Sequence, residues 1–134
     1  MAGLKNILLV EDDAMIREMY RLALVTGHFK VELAGDANEA FSKLATFHPD
    51  CILLDVMLPG MSGLEILKEL RTDPKHGCQH TKIVVLTNLA ERSVTDKAIE
   101  GGADAYIVKT DIVPRDLRTI IPSLEDEGQN NKPK

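Results

Sequence analysis

The run Cys51-Ile52-Leu53-Leu54 leads without a break into Asp55 and then into Val56-Met57-Leu58-Pro59-Gly60. A segment apolar at every position fits a strand buried on both faces, as a central strand of a parallel sheet is. Asp55 then stands just past the carboxyl end of that strand. Parallel sheets wrapped by helices collect ligands and chemistry outside those ends, where loops open a crevice over a rigid base. Taken alone, such an aspartate more often caps a turn, so the rest of the chain must decide its role.

The same design recurs along the sequence. A buried run at 5–10 ends on Glu11-Asp12-Asp13. Met15, Ile16, Met19, Leu22 and Ala23 then recur at helical spacing, predicting a helix that turns this stripe inward and closes at Gly27. Residues 29–34 alternate apolar with polar, as an edge strand does. Asp36 and Glu39 match a capping box for a second helix burying Ala37, Ala40, Phe41, Leu44 and Ala45, and Ser62 and Glu65 match another for a third helix burying Leu64, Leu67 and Leu70. Ile83-Val84-Val85-Leu86 is a fourth strand, ending on Thr87. A thinly striped helix follows at 91–100, with Ala90, Val94 and Ala98. The strand at 104–108 ends on Lys109. A last helix, opening near Pro114, turns Val113, Leu117, Ile120, Ile121 and Leu124 inward and should end or kink at Pro122. The polar residues 125–134 are expected to be a disordered tail. Strand and helix alternate five times, which argues for an α/β fold: a five-stranded parallel sheet with two helices on one face and three on the other.

At 134 residues and 44% hydrophobic content the chain makes one domain with an ordinary core. Sixteen basic against 21 acidic residues give a net charge of -5, and no stripe of Lys or Arg follows a phosphate backbone, so direct nucleic-acid binding is not expected. The amino terminus lacks an apolar signal region and no apolar run is long enough for a bilayer, so a cytoplasmic protein without membrane contact is expected. Cys51 in a core strand and Cys78 in a loop suit reduced thiols.

With the strand order 2-1-3-4-5, the first and third strands are neighbours and Glu11, Asp12 and Asp55 converge at the switch point between them. Carboxylates this close do not all stay ionised without a cation, and an all-oxygen site with positions left for water and phosphate fits Mg2+. Such a site has the parts for phosphoryl transfer onto a carboxylate. Asp55 is the candidate nucleophile, and Lys109 and Thr87 are the donors aimed at the charge that develops on the phosphoryl oxygens.

Four motifs together resemble the receiver domains of two-component response regulators, of flavodoxin-like fold. They are Ile7-Leu-Leu-Val-Glu-Asp-Asp13 with Arg17 following, Leu53-Leu-Asp-Val-Met-Leu-Pro-Gly-Met-Ser-Gly63, Val84-Val-Leu-Thr87 and Gly102-Ala-Asp-Ala-Tyr-Ile-Val-Lys109. The resemblance runs from Lys5 to about Leu124, so residues 1–124 are expected to be the receiver domain. It implies that Asp55 accepts a phosphoryl group from the phosphohistidine of a sensor histidine kinase. Glu11, Asp12 and the backbone carbonyl of Met57 are implied as further Mg2+ ligands. Thr87 and Lys109 are implied to contact the phosphoryl group, and Tyr106 to be the aromatic whose inward or outward position follows Thr87. Partners implied are the kinase, a downstream effector or phosphotransfer protein, and a second copy of the chain in a phosphorylation-dependent homodimer. The surface of the fourth helix, fifth strand and fifth helix would report the switch.

The chain departs from the family pattern in places. Thr110 stands where many receivers have proline, and a cis bond before it would cost about 3 to 4 kcal/mol. Asn88 replaces a smaller residue after Thr87. Met57 and Leu89 are apolar at positions that in the family bear on the lifetime of the phosphoryl group. A pseudo-receiver acting as a constitutive interaction module is therefore the alternative. A phosphohydrolase would need a general acid two residues past Asp55, where Met57 stands. The loop His76-Gly-Cys78-Gln-His80 holds three metal-ligating side chains but no second pair at zinc spacing, and is read as an ordinary polar loop.

Overall fold

The computed structural model describes residues 5–88 and 91–130. Its strands are β1 (Asn6–Val10), β2 (Lys30–Ala34), β3 (Cys51–Asp55), β4 (Lys82–Thr87) and β5 (Ala105–Val108). They form one parallel sheet in the order β2-β1-β3-β4-β5. The helices between and after them are α1 (Ala14–Thr26), α2 (Ala37–Leu44), α3 (Gly63–Thr72), α4 (Arg92–Glu100) and α5 (Leu117–Asn130). The two layers of core follow from strand alternation. Leu8, Val10, Ile52, Leu54, Ile83 and Val85 face α2, α3 and α4, while Ile7, Leu9, Cys51, Leu53, Val84 and Leu86 face α1 and α5. The expected doubly wound sheet, with its three-and-two division of helices, is therefore present. Among the described residues no helix is long and apolar enough to cross a membrane.

The inward face of α1 differs from the one its apolar spacing predicts. Ile16, Tyr20, Ala23 and Leu24 meet the sheet, and Met15, Met19 and Leu22 stand 75%, 47% and 52% exposed. The Tyr20 ring brings more apolar area to the core than the thioethers it displaces. The helix ends at Gly27 as expected, but the left-handed residue is His28, at φ 72°.

In α3, Ile66 joins Leu67 and Leu70 in the core while Leu64 is half-buried. Val113 is 50% exposed rather than inward, since it precedes a 3-10 turn at Pro114–Asp116 that sets the helix axis only from Leu117. Helix α5 does not end at Pro122 but continues past it, with Leu117, Ile121 and Leu124 buried on both sides of the missing hydrogen bond. The backbone is helical as far as Asn130. Residues 131–134, Leu89 and Ala90 lie outside the described residues.

Candidate functional site

The sheet brings three distant carboxyl-end residues into one row. Leu9, Leu53 and Ile107 belong to the face under α1 and α5, and Glu11, Asp55 and Lys109 are the next members of the same alternating rows. Lys109 Nζ donates to Glu11 Oε1 at 2.5 Å and to Asp55 Oδ2 at 3.1 Å. Glu11 is 1% and Asp55 2% exposed, whereas Asp12 beside them is exposed. One oxygen from each of Glu11, Asp12 and Asp55 lies within 4.8 Å of the others. An ion entering from solvent thus meets two buried carboxylates and one at the rim.

Backbone contacts hold this cluster in place. Glu11 Oε2 accepts from Asp13 N at 3.1 Å, and Asp55 Oδ1 accepts from Met57 N at 3.1 Å. Asp13 caps α1, its Oδ1 accepting from the N-H groups of Met15 and Ile16. Arg17 Nη1 donates to the carbonyls of Glu11 at 2.7 Å and Asp12 at 3.4 Å, tying the acidic loop to the helix that follows. Gly63 opens α3 directly beneath Asp55, where an added Cβ would stand 2.0 Å from the Asp55 carbonyl oxygen. Neither support has a local signal in the sequence: Arg17 stands in its motif with no partner indicated, and the Ser62 capping box, which is present, says nothing of the close approach at Gly63.

Charge and burial pull against each other at the row. Burial pushes the Glu11 carboxyl above its usual range, the Lys109 hydrogen bond opposing this and the nearby Asp55 adding to it. For Lys109, burial acts to lower the ammonium's value, but the hydrogen bond with Glu11 and the charge of Asp55 outweigh it, so the net direction is up. One ammonium therefore serves two buried carboxylates, with a third acid alongside. The donor set is all oxygen and carries excess negative charge, which suits a hard divalent cation.

Thr87, 2% exposed, ends β4 one step beyond Leu86, the strand partner of Asp55. Tyr106 lies opposite Val85 on β5 and is 45% exposed, so its ring stands outward. Met57 is 62% exposed at the mouth, two residues past Asp55, and Asn88 is exposed. No peptide bond among the described residues is cis, and Lys109 reaches Asp55 from a trans loop that begins with a 3-10 turn at Lys109–Asp111. The three ligating groups of the 76–80 loop do not meet. Cys78 is buried, its Sγ donating to the His76 carbonyl at 3.4 Å, and His80 is exposed.

A family model described as the response regulator receiver domain matches residues 7–121. The polar-differentiation response regulator DivK of Brucella ovis is 31% identical over 122 residues, covering 91% of this chain and 98% of DivK. Among solved structures, the chemotaxis response regulator CheY4 of Vibrio cholerae superposes with a TM-score of 0.80 at 28% identity, over 90% of this chain and 98% of that one. The receiver domain of sensor histidine kinase PA1611 from Pseudomonas aeruginosa superposes with a TM-score of 0.78 at 25% identity, over 92% of this chain and 98% of its own. It is described with a magnesium ion coordinated in the active site cleft.

Proposed function

The chain belongs to the response regulator receiver domain family, a family of signalling domains, and from that premise we propose that it is a magnesium-dependent phosphoacceptor switch acting at Asp55. The observation that carries the reading is Asp55 itself, nearly buried at a strand end, with Lys109 Nζ 3.1 Å from Oδ2 and Glu11 on the far side of the same ammonium. A carboxylate oxygen of Asp55 attacks the phosphorus of a kinase phosphohistidine, the phosphorus–nitrogen bond breaks with its electron pair returning to the imidazole, and an acyl phosphate remains on Asp55. Glu11, Asp12, Asp55 and the backbone carbonyl of Met57 would hold Mg2+, and the bound ion would neutralise charge on the phosphoryl oxygens. Lys109 moves its donor from the carboxylate to the phosphoryl group, and the Thr87 hydroxyl donates to a further oxygen.

The receiver domain is assigned to residues 1–124, working in the cytoplasm with a sensor histidine kinase upstream. Once the Thr87 hydroxyl turns toward the phosphoryl group, the outward ring of Tyr106 has room to move in, which biases the surface of α4, β5 and α5. An effector or phosphotransfer protein, or a second copy of the chain, reads that surface. The transfer modifies the protein itself and turns over no separate substrate.

Intact-protein mass spectrometry after incubation with acetyl phosphate tests the reading. A gain of one phosphoryl group is expected from the wild type in Mg2+, with none from Asp55→Asn and none in EDTA. No gain where a control receiver is modified would overturn it in favour of a constitutive pseudo-receiver.

A further inference from the structure

A second group of metal-ligating side chains lies at the far end of α3. Glu69 and Asp73 are one helical turn apart, and Asp73 both ends α3 and starts the 3-10 turn Pro74–His76, its Oδ1 accepting from Lys75 N at 3.1 Å. Pro74 pre-sets that turn and Gly77, at φ 69°, closes it. The turn carries His76 back against the helix, where its Nε2 lies 2.7 Å from Glu69 Oε2. One ligand atom from each of Glu69, Asp73 and His76 lies within 4.8 Å of the other two.

The imidazole is seated rather than loose. Its ring stacks on Phe41 of α2 with centroids 4.6 Å apart and planes 19° from parallel, and the His76 side chain is 8% exposed. Stacking and burial hold the ring plane, with Nε2 set against the Glu69 carboxylate. Four-coordinate zinc, with bonds of about 2.0 to 2.2 Å to nitrogen and oxygen, sets its ligand atoms about 3.3 Å apart, so carboxylate rotations suffice to enclose an ion. Cations compete nearby: Lys75 Nζ is 3.6 Å from Asp73 Oδ2, and Lys68 lines the adjacent cleft with Glu65. Both lysines are exposed and free to withdraw into water.

We propose that Glu69, Asp73 and His76 form a binding site for a divalent transition-metal ion of the zinc type, separate from the acidic site at Asp55. One imidazole and two carboxylates select a borderline cation over the hard Mg2+ expected at Glu11, Asp12 and Asp55, and leave a coordination position for water. For Nε2 to donate its lone pair, the ring hydrogen sits on Nδ1. The ion would staple the end of α3 to the loop leading into β4.

Titration of the full chain with zinc sulfate in saturating Mg2+, against a chromogenic chelator, tests this. One equivalent is expected to bind. His76→Gln and Glu69→Gln should each weaken binding by about tenfold or more, the scale at which even outer ligand-orienting groups act. Asp12→Asn, Asp55→Asn and His80→Gln should leave it unchanged. Glu69→Gln keeps the ring stack, so its loss is not one of packing. In long-range proton–nitrogen spectra, zinc should move the His76 Nε2 resonance and spare His28, His48 and His80. Absence of saturable zinc binding to the wild type, or a loss that follows Asp12, Asp55 or His80 in place of His76, would overturn the proposal.

Discussion

Glu11, Asp12 and Asp55 meet across two strands and are answered by Lys109 from a third, 98 and 54 residues away in sequence. Glu69, Asp73 and His76 lie within one helix and the turn that ends it. The first cluster exists when the sheet is complete. The second needs little more than α3, its following turn and Phe41. The difference is also one of charge: the strand-end cluster buries two carboxylates beside one ammonium, while the helix-end cluster keeps its acids half-exposed and buries an aromatic ring. Long-range assembly stores electrostatic tension that a ligand can relieve, and local assembly stores much less.

Removing the central cation should expose this contrast most strongly. Without metal, Lys109→Met is expected to lower the unfolding free energy by about 3 kcal/mol, the lower range for stripping the partner from a buried charge. His76→Gln, which loses a ring stack and one hydrogen bond, should cost about 1 kcal/mol. Denaturant midpoints of the two variants at one pH make the comparison, and equal losses would break it. The next effect is that of the ion: Mg2+ at 100 times its dissociation constant should add about 2.7 kcal/mol to the wild type. Asp12→Asn should lose most of that gain at the same concentration and Asp73→Asn should keep it, as thermal melts with and without Mg2+ would read.

The smallest effect is that of pH. The Lys109 value is raised in the fold, by the hydrogen bond to Glu11 and the charge of Asp55 acting against burial, so the folded state holds this proton more tightly than the unfolded chain. Its contribution is whole below the unfolded value of about 10.4 and is lost as pH rises through the higher folded value. Wild-type stability should therefore fall more steeply above about pH 10 than that of Lys109→Met, in denaturant titrations across that range.

The strand-end cluster was legible because β1, β3 and β4 are apolar at almost every position, and runs buried on both faces announce where they stop. Glu11, Asp55 and Thr87 stand at those stops and Lys109 just past β5, so the convergence of the carboxylates follows once the strand order 2-1-3-4-5 is assumed. The inward face of α1 was not legible. Two apolar stripes overlap between Met15 and Val25, and the choice between them depends on Tyr20 filling space under the sheet, which periodicity does not weigh. The helix-end cluster is illegible for a related reason: in sequence His76 stands beside Cys78 and His80, while its contacts lie three and seven residues back and on α2. The fit of Gly63 beneath the Asp55 carbonyl is a tertiary contact with no local signature.

The span between Glu11 and Lys109 also bears on how the protein is made. On a chain leaving the ribosome the acidic loop emerges before the lysine that neutralises it, which at about 5 to 20 residues per second follows seconds later. During that interval β1 and β3 lack α5, whose Leu117, Ile121 and Leu124 cover one of their faces. The nascent chain thus holds unmatched negative charge and open apolar surface at once. Arrival of Lys109 and α5 closes both, completing the site and the core together.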